Sequence, residues 1–135
     1  MIVADTSLVG SLLIESHMTP GADRVRELDS DWIAPPVLRY ELLNVIGQLV
    51  RTNDLDPDEG AALCRRGLSL VRVDDRPLDP LRSLELCRSR KCSFSAVEFA
   101  RLAMDRGITL VTDEQEIQAA FQGVAVSTTD FARGR

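Results

Sequence analysis

The sequence predicts an α/β domain in which helices cover both faces of a parallel sheet. Two short apolar runs, residues 1–4 and 108–112, each end on acidic residues, a pattern typical of buried strands that stop at a sheet edge. Helical patterns separate the apolar runs, and strands that alternate with helices form parallel βαβ units. With 135 residues, 44% of them hydrophobic, the chain is expected to be a single domain over 1–135.

Short apolar runs bounded by polar residues, proline or glycine supply the strands. The run at 32–34 lies between Asp31 and Pro35, and the run at 108–112 begins directly after Gly107. Runs of this length are too short for independent helices and suit buried parallel strands. The strands are expected at 1–4, 32–34, 68–73, 108–112 and 124–126.

Helices are predicted between these strands from turn residues and apolar spacing. Pro35 and Pro36 suit the first turn of a helix, where no backbone donor is required. The helix that they open has one apolar face, formed by Leu38, Leu42, Val45, Ile46 and Leu49. Gly107 is expected to end a later helix. The other helices are expected at 8–14, 22–28, 58–67, 78–90, 93–106 and 116–121, with a tail over 128–135.

The composition narrows the classes of function. The net charge is −5, so any contact with nucleic acid must use a local basic patch, for which Arg82, Arg88, Arg90 and Lys91 are the candidates. Three cysteines without a close CxxC pair, and no basic segment ahead of an apolar one at the start, favour a cytoplasmic protein without a membrane span. The single histidine, His17, makes Ser-His-Asp, Cys-His and multi-histidine zinc sites poor candidates.

Four acidic residues are expected near one edge of the sheet. Asp5 ends the first strand, Asp113 and Glu114 end the strand at 108–112, and Glu41 lies early in the helix after the second strand. The carboxyl ends of parallel strands share one edge, where ligands bind. Clustered carboxylates repel unless cations lie between them, and oxygen ligands select Mg²⁺ or Mn²⁺. Each acid alone also has a structural explanation as a helix cap or an N-terminal charge.

Three segments together resemble the successive motifs of the PIN-domain family. They are residues 3–7 (Val-Ala-Asp-Thr-Ser), 35–45 (Pro-Pro-Val-Leu-Arg-Tyr-Glu-Leu-Leu-Asn-Val) and 110–114 (Leu-Val-Thr-Asp-Glu). The likeness is to VapC-type toxins of toxin–antitoxin modules and covers nearly the whole chain. It implies a Rossmann-like three-layer fold with a parallel sheet of four to five strands and an Mg²⁺- or Mn²⁺-dependent ribonuclease. It also implies a homodimer and an antitoxin partner whose tail blocks the site.

The resemblance also implies roles for individual residues. Asp5 is the first metal-binding acid, Glu41 the second, and Glu114, or Asp113 beside it, the acid after the family's threonine. The supporting residues are Ser7, Asn44, Ser95 and Thr112. From its charge, the basic segment is expected either to contact RNA phosphates through Arg88, Arg90 and Lys91 or to be only a solvated helix face with a charged turn.

One departure from the family pattern concerns the helix before the Leu-Val-Thr strand. The family usually has an aspartate at its start, where this chain has Ala96. Glu98 does not easily replace that acid, because two residues along a helix correspond to a turn of roughly 200°. Ser95 to Glu98 instead matches a capping box, and Glu98 is spaced to pair with Arg101. The sequence therefore leaves two hypotheses, a working nuclease and a catalytically impaired domain that binds antitoxin or RNA.

A more distant class is a phosphoryl-transfer domain, such as a receiver or a haloacid-dehalogenase-like phosphatase. Such domains also place an aspartate after the first strand, but they need a further acid close to it and a lysine after a late strand. Thr6 and Ser7 follow Asp5 here, and no lysine lies near Val126. Both features count against this class.

Overall fold

A computed structural model describes residues 1–134 and shows a five-stranded parallel sheet. Its strands are β1 (Ile2–Ala4), β2 (Trp32–Ala34), β3 (Arg72–Val73), β4 (Leu110–Val111) and β5 (Ala125–Val126). The strand order is β3-β2-β1-β4-β5. Val3 of the central strand lies opposite Ile33 on one side and Leu110 on the other. The predicted α/β fold with four to five parallel strands is confirmed.

Helices connect the strands throughout the described part of the chain. They are α1 (Thr6–Leu13), α2 (Thr19–Leu28), α3 (Val37–Arg51), α4 (Pro57–Leu70), α5 (Pro80–Arg90), α6 (Phe94–Arg106), α7 (Gln115–Ala120) and α8 (Thr128–Ala132). None of them is both long and apolar enough, within residues 1–134, to cross a bilayer.

The order of the strands explains why the helices form two layers. The chain runs from β1 outward to β2 and β3, then returns to the other side of β1 for β4 and β5. Because such crossovers are right-handed, the reversal puts the crossover helices that lead from β1 to β3 and those that lead from β3 to β5 on opposite faces. α1 contacts α2, α3 and α4, whereas α5 packs on α6, which contacts β1 and β4. The reversal leaves a crevice beyond the carboxyl ends of β1 and β4, where such sheets bind ligands.

Local signals fix the elements that border this crevice. Asp5 caps α1, because its side chain accepts a hydrogen bond from the Leu8 N–H. Ser93 caps α6 in the same way, and Gly107 ends that helix in the left-handed region at φ 63°. The three residues of β1 are all buried. Asp5, which follows the last residue of this buried strand, therefore lies at the edge of the sheet.

Three expectations about the elements are wrong. Residues 68–70 belong to α4 rather than to a strand, since Gly67 does not end the helix but lies where α4 crosses α1 and α3. Val45 is 39% exposed, because the buried row of α3 repeats every four residues along Leu38, Leu42 and Ile46. Residues 128–132 of the expected tail form α8, which Ser127 caps and which packs on α2.

Candidate active site at the carboxyl edge of the sheet

A cavity of about 230 Å³ lies at the crevice beyond β1 and β4. It is bordered by the start of α1, the second turn of α3, the junction of α5 with α6, and the start of α7. Its charged lining residues are Asp5, Glu41, Lys91, Glu114 and Glu116. Ala96 lines the wall formed by α6. Segments far apart in sequence therefore supply one acidic pocket.

Asp5 is the most buried acid of the pocket, with 3% of its surface exposed. One carboxylate oxygen accepts hydrogen bonds from the Ser7 hydroxyl at 2.7 Å and from the Leu8 N–H at 2.9 Å. The other oxygen accepts from the Thr112 hydroxyl. Burial raises the pKa of Asp5 to about 6, which the hydrogen bonds oppose and the charge of Glu114 slightly increases. A buried carboxylate of this kind gains from a cation beside it.

Glu41 and Glu114 are the two other acids that the sequence analysis named and that line the cavity. Glu41 is half-buried on α3, and its Oε1 accepts a hydrogen bond from the Thr6 hydroxyl at 2.9 Å. Glu114 is exposed just before α7, and its backbone N–H donates to the Thr112 hydroxyl at 3.0 Å. Thr112 therefore links the backbone at Glu114 to the carboxylate of Asp5.

Asp113 faces away from these acids. Its carboxylate accepts hydrogen bonds from the Thr128 N–H at 3.0 Å and from the Thr128 hydroxyl, so it ties the end of β4 to α8. It does not line the cavity. Of the two adjacent acids that the sequence left open, Glu114 is the one in the pocket. The physical reason is that consecutive side chains at the end of an extended strand point in opposite directions.

The residues expected to support the acids fall into two groups. Ser7 and Thr112 bond directly to Asp5, and Ser95 lines the cavity. Asn44 lies instead in an adjoining groove between α1 and α3, which Glu41 also borders. That groove continues from the acidic pocket along the surface.

Ala96 occupies the side of the pocket formed by α6. It is 8% exposed, lines the cavity, and its N–H donates to the Ser93 hydroxyl at 3.3 Å. Ala96 thus lines the same cavity as the acids and has no side-chain ligand to offer. Ser93, rather than Ser95, is the capping residue, so the expected capping box from Ser95 to Glu98 is wrong.

Glu98 forms the pair that its spacing predicts. Its two oxygens accept hydrogen bonds from the Arg101 guanidinium, both at 3.0 Å, and one also accepts from the Ser83 hydroxyl at 2.8 Å. Burial raises the pKa of Glu98, but the bonds from Arg101 and Ser83 outweigh this and leave it below its usual value. Glu98 is absent from the acidic cavity and holds α5 against α6.

The basic residues of the α5 to α6 segment do not act as one patch. Arg82 forms an ion pair with Asp105, and the Arg90 guanidinium donates to the Ala120 carbonyl at 2.9 Å and lies over the Phe121 ring. Arg88 is exposed on α5 and does not line the cavity. Lys91, exposed at the end of α5, does line it. RNA contacts by Arg88, Arg90 and Lys91 stay a prediction.

Thr6 and Glu116 are among the pocket residues that sequence reasoning missed. Thr6 bonds to Glu41, and Glu116 adds a fourth acid to the cavity wall. From the sequence, Glu116 is expected only to begin the helix at 116–121. The spacing of Glu114 and Glu116, two residues apart after a strand end, is the signal that could have indicated it.

The donors in the pocket suit a hard divalent cation in their chemistry. Carboxylate and hydroxyl oxygens converge there, and Mg²⁺ sites often use one or two carboxylates with water completing the shell. Across residues 1–134, however, no three His, Cys, Asp or Glu side chains stand close enough to hold a metal. Asp5 and Glu41 therefore fit such an ion only as a small set of ligands, and Glu114 lines the same cavity.

No family model and no curated protein matches the chain, but solved structures do. PAE2754 from Pyrobaculum aerophilum superposes with a TM-score of 0.79 at 20% identity, over 98% of this chain and 94% of that one. Mycobacterium tuberculosis VapC20, a Sarcin-Ricin loop cleaving toxin, gives 0.68 at 20% identity, over 90% and 96%.

A toxin–antitoxin complex from Klebsiella pneumoniae also matches, with a TM-score of 0.68 at 17% identity, over 95% of this chain and 98% of that one. Similarity of this extent, at identities of 20% or less, is similarity of fold. It agrees with the five-stranded parallel order and with an acidic pocket at the switch between β1 and β4. The chain therefore has the PIN-domain fold, of the type found in the VapC20 toxin.

Proposed function

We propose that this protein is a metal-dependent ribonuclease of the toxin–antitoxin type, with a site weakened by Ala96. The observation that carries the proposal is the gathering of Asp5, Glu41 and Glu114 in one cavity at the switch point of the sheet. The fold shared with VapC20, a toxin that cleaves the Sarcin-Ricin loop, supports RNA as the substrate. Glu114 is preferred to Asp113 because Thr128 engages the carboxylate of Asp113.

Asp5 and Glu41 are the residues proposed to hold Mg²⁺ or Mn²⁺, with Glu114 as a third. When bound, such an ion lowers the pKa of a water molecule and neutralises charge on a phosphate. Ser7 and Thr112 hold both oxygens of Asp5 in fixed directions, and Thr6 does the same for one oxygen of Glu41. This chain thus holds Asp5, and one oxygen of Glu41, in fixed positions before RNA binds.

Lys91 is proposed to contact the RNA backbone. Lys91 lines the cavity from the segment that joins α5 to α6. A phosphate placed between it and the acids meets one positive charge from the protein. With a net charge of −5, the protein has no general attraction for RNA, so a local contact of this kind is necessary.

A second candidate function follows from Ala96 itself. With an alanine on the α6 wall and no three-ligand group among residues 1–134, the pocket binds a divalent ion weakly. A domain of this kind can bind RNA or an antitoxin without cleaving RNA at a useful rate. The two candidate functions differ only in whether the protein cleaves RNA at a useful rate.

Cleavage of bulk RNA, with and without Mg²⁺ or Mn²⁺, tests the proposal. We expect slow, cation-dependent cleavage by the unmodified protein, faster cleavage by Ala96→Asp, and none by Asp5→Asn. Asp113→Asn serves as a matched control, because its carboxylate lies outside the cavity. If Ala96→Asp cleaves RNA and the unmodified protein does not, the chain is a binding module. If neither cleaves RNA, the nuclease proposal is wrong.

The proposal includes a cognate antitoxin and a homodimer. The Klebsiella toxin–antitoxin complex supports the first. Several large apolar side chains at the start of α3, just before and along α5, and at the start of α6 are 45–74% exposed, which supports protein contacts there; they are Tyr40, Leu43, Leu78, Leu81, Leu84 and Phe94. Light scattering after size exclusion tests the homodimer, and a Leu81→Glu, Leu84→Glu variant is expected to run as a monomer.

A further inference from the structure

We propose that Arg90 is a positioning residue, which anchors the junction of α5 and α6 onto the end of α7 and so holds Lys91 at the cavity. This inference rests on the proposed phosphate contact of Lys91 and deepens it. It gives Arg90 a role other than the phosphate contact expected from the sequence, because its guanidinium already has partners within the protein.

The partners of Arg90 lie at the C-terminal end of α7. The guanidinium donates to the Ala120 carbonyl at 2.9 Å, and its central carbon lies 5.3 Å from the centre of the Phe121 ring. The last carbonyls of a helix have no partner within it, and α7 (Gln115–Ala120) has no basic residue in its own last turn. Phe121 is fully buried. Arg90 therefore binds a part of α7 that the core holds in place.

The junction itself consists of Lys91 and Cys92, between the end of α5 at Arg90 and the capping residue of α6, Ser93. Lys91 adopts the left-handed conformation, at φ 55° and ψ 43°, where glycine is usual because it has no Cβ. A lysine keeps this conformation only when the surrounding structure holds it. The anchor at Arg90 and the cap at Ser93 are the contacts on either side of Lys91.

The anchor connects two walls of the cavity. Lys91 and Cys92 line the cavity from the junction, and Glu114 and Ile117 line it from the start of α7. Because Arg90 ties the junction to α7, its replacement releases the junction while the packing of α5 on α6 remains. The fold should therefore persist, and only the position of Lys91 becomes less defined.

A direct contact between Arg90 and RNA predicts a different behaviour. A second phosphate contact adds to that of Lys91, so the two substitutions then have independent effects on affinity and on its salt dependence. A residue that acts through Lys91, in contrast, loses its effect once Lys91 is replaced. A double-mutant cycle on the two positions therefore separates the two roles.

Fluorescence anisotropy with a short, labelled, single-stranded RNA of mixed sequence measures the cycle. All proteins carry Asp5→Asn, so that the RNA is not cleaved during the titration. We expect Arg90→Met to raise the Kd roughly fivefold, the size of coupling usual for residues that act together. In the presence of Lys91→Gln the same substitution should raise the Kd less than about twofold and leave the salt slope unchanged.

Arg65→Met is the matched control, since Arg65 is an exposed arginine on α4 that does not line the cavity. It removes an equal charge from the protein and should change the Kd less than about twofold, because distant exposed charges are screened by salt. Hydrogen exchange of peptides that cover residues 88–96 provides a readout without RNA. Exchange there should become faster in Arg90→Met and stay unchanged in Arg65→Met.

Each other outcome overturns the inference in a recognisable way. If Arg90→Met and Arg65→Met weaken binding equally, loss of charge explains the effect. If the effects of Arg90→Met and Lys91→Gln add, Arg90 contacts RNA itself. Unchanged affinity or unchanged exchange in Arg90→Met, together with weaker binding by Lys91→Gln, removes the anchor and leaves the proposed contact of Lys91. If Lys91→Gln does not weaken binding, or no protein binds the RNA, that proposed contact fails and the positioning role fails with it.

Discussion

Asp5→Asn is expected to stabilise the protein at pH 8 in the absence of divalent cations, although it removes a proposed metal ligand. Asp5 is 3% exposed, and burial raises its pKa from 3.8 to about 6. The folded state therefore binds this proton more tightly than the unfolded chain does. The stability that the carboxyl contributes is fully present below pH 3.8 and is lost as the pH rises through 6.

The size of the effect follows from the shift in pKa. A shift from 3.8 to about 6 corresponds to about 3 kcal/mol of unfolding free energy lost at pH 8. Asparagine avoids this loss and retains one oxygen for Ser7 and Leu8, while the Thr112 hydroxyl can turn to accept from the new amide. We expect Asp5→Asn to be about 2–3 kcal/mol more stable at pH 8, and the difference to shrink to about 1 kcal/mol at pH 4.5.

Urea unfolding at several pH values, after removal of metal with a chelator, measures this difference. The melting temperature at pH 8 should rise by roughly 5–10 °C. Millimolar Mn²⁺ should then raise the melting temperature of the unmodified protein and leave that of Asp5→Asn almost unchanged, because an ion that binds only the folded state stabilises it. If Asp5→Asn is the less stable protein at pH 8, or if the difference does not depend on pH, the argument from burial is wrong.

Five further substitutions test the packing and the charges. Gly67→Ala should cost about 1–3 kcal/mol in urea unfolding, because its added carbon meets two core leucine side chains at 2.7 and 2.8 Å. Gly10→Ala, with nothing within 4 Å, should gain about 0.5–1 kcal/mol, and a loss there would refute the propensity argument. Arg101→Met should cost roughly 3–5 kcal/mol by leaving Glu98 buried without its cation, and Glu98→Gln should recover part of this if the pairing argument holds. Lys91→Gln should weaken RNA binding for all sequences and lower the salt slope by about 1 in fluorescence anisotropy; an unchanged slope would remove Lys91 from the interface.

The sequence by itself determined the class of fold and two of the acids in the pocket, Asp5 and Glu41. Short buried strands alternating with helices permit few arrangements, because parallel strands need crossovers and crossovers have one hand. Asp5 was placed correctly because the strand before it is apolar at every position and ends there. Glu41 was placed correctly because a helical side chain points back toward the start of its helix. The ion pair of Glu98 with Arg101 was predictable because residues three apart on a helix lie side by side.

Features that depend on packing between elements were not predictable. The sequence predicts that a helix ends at Gly67. In the structure α4 continues through Gly67, because only a residue without a side chain fits where α4 crosses closely over α1 and α3. Val45 belonged to the apolar stripe by spacing, and only the position of α4 against α3 decides which edge of that stripe is covered.

Only the tertiary structure decided between Asp113 and Glu114 and brought Glu116 into the pocket. Adjacent acids after a strand are equivalent in sequence, and α8, which the sequence did not predict, provides the Thr128 hydroxyl and N–H that bind Asp113. The basic segment was divided in the same way, since Asp105 pairs with Arg82 and leaves Lys91 at the cavity. Patterns along a chain report the face that a residue occupies, whereas the partner of a charged side chain is set by segments that only the folded chain brings together.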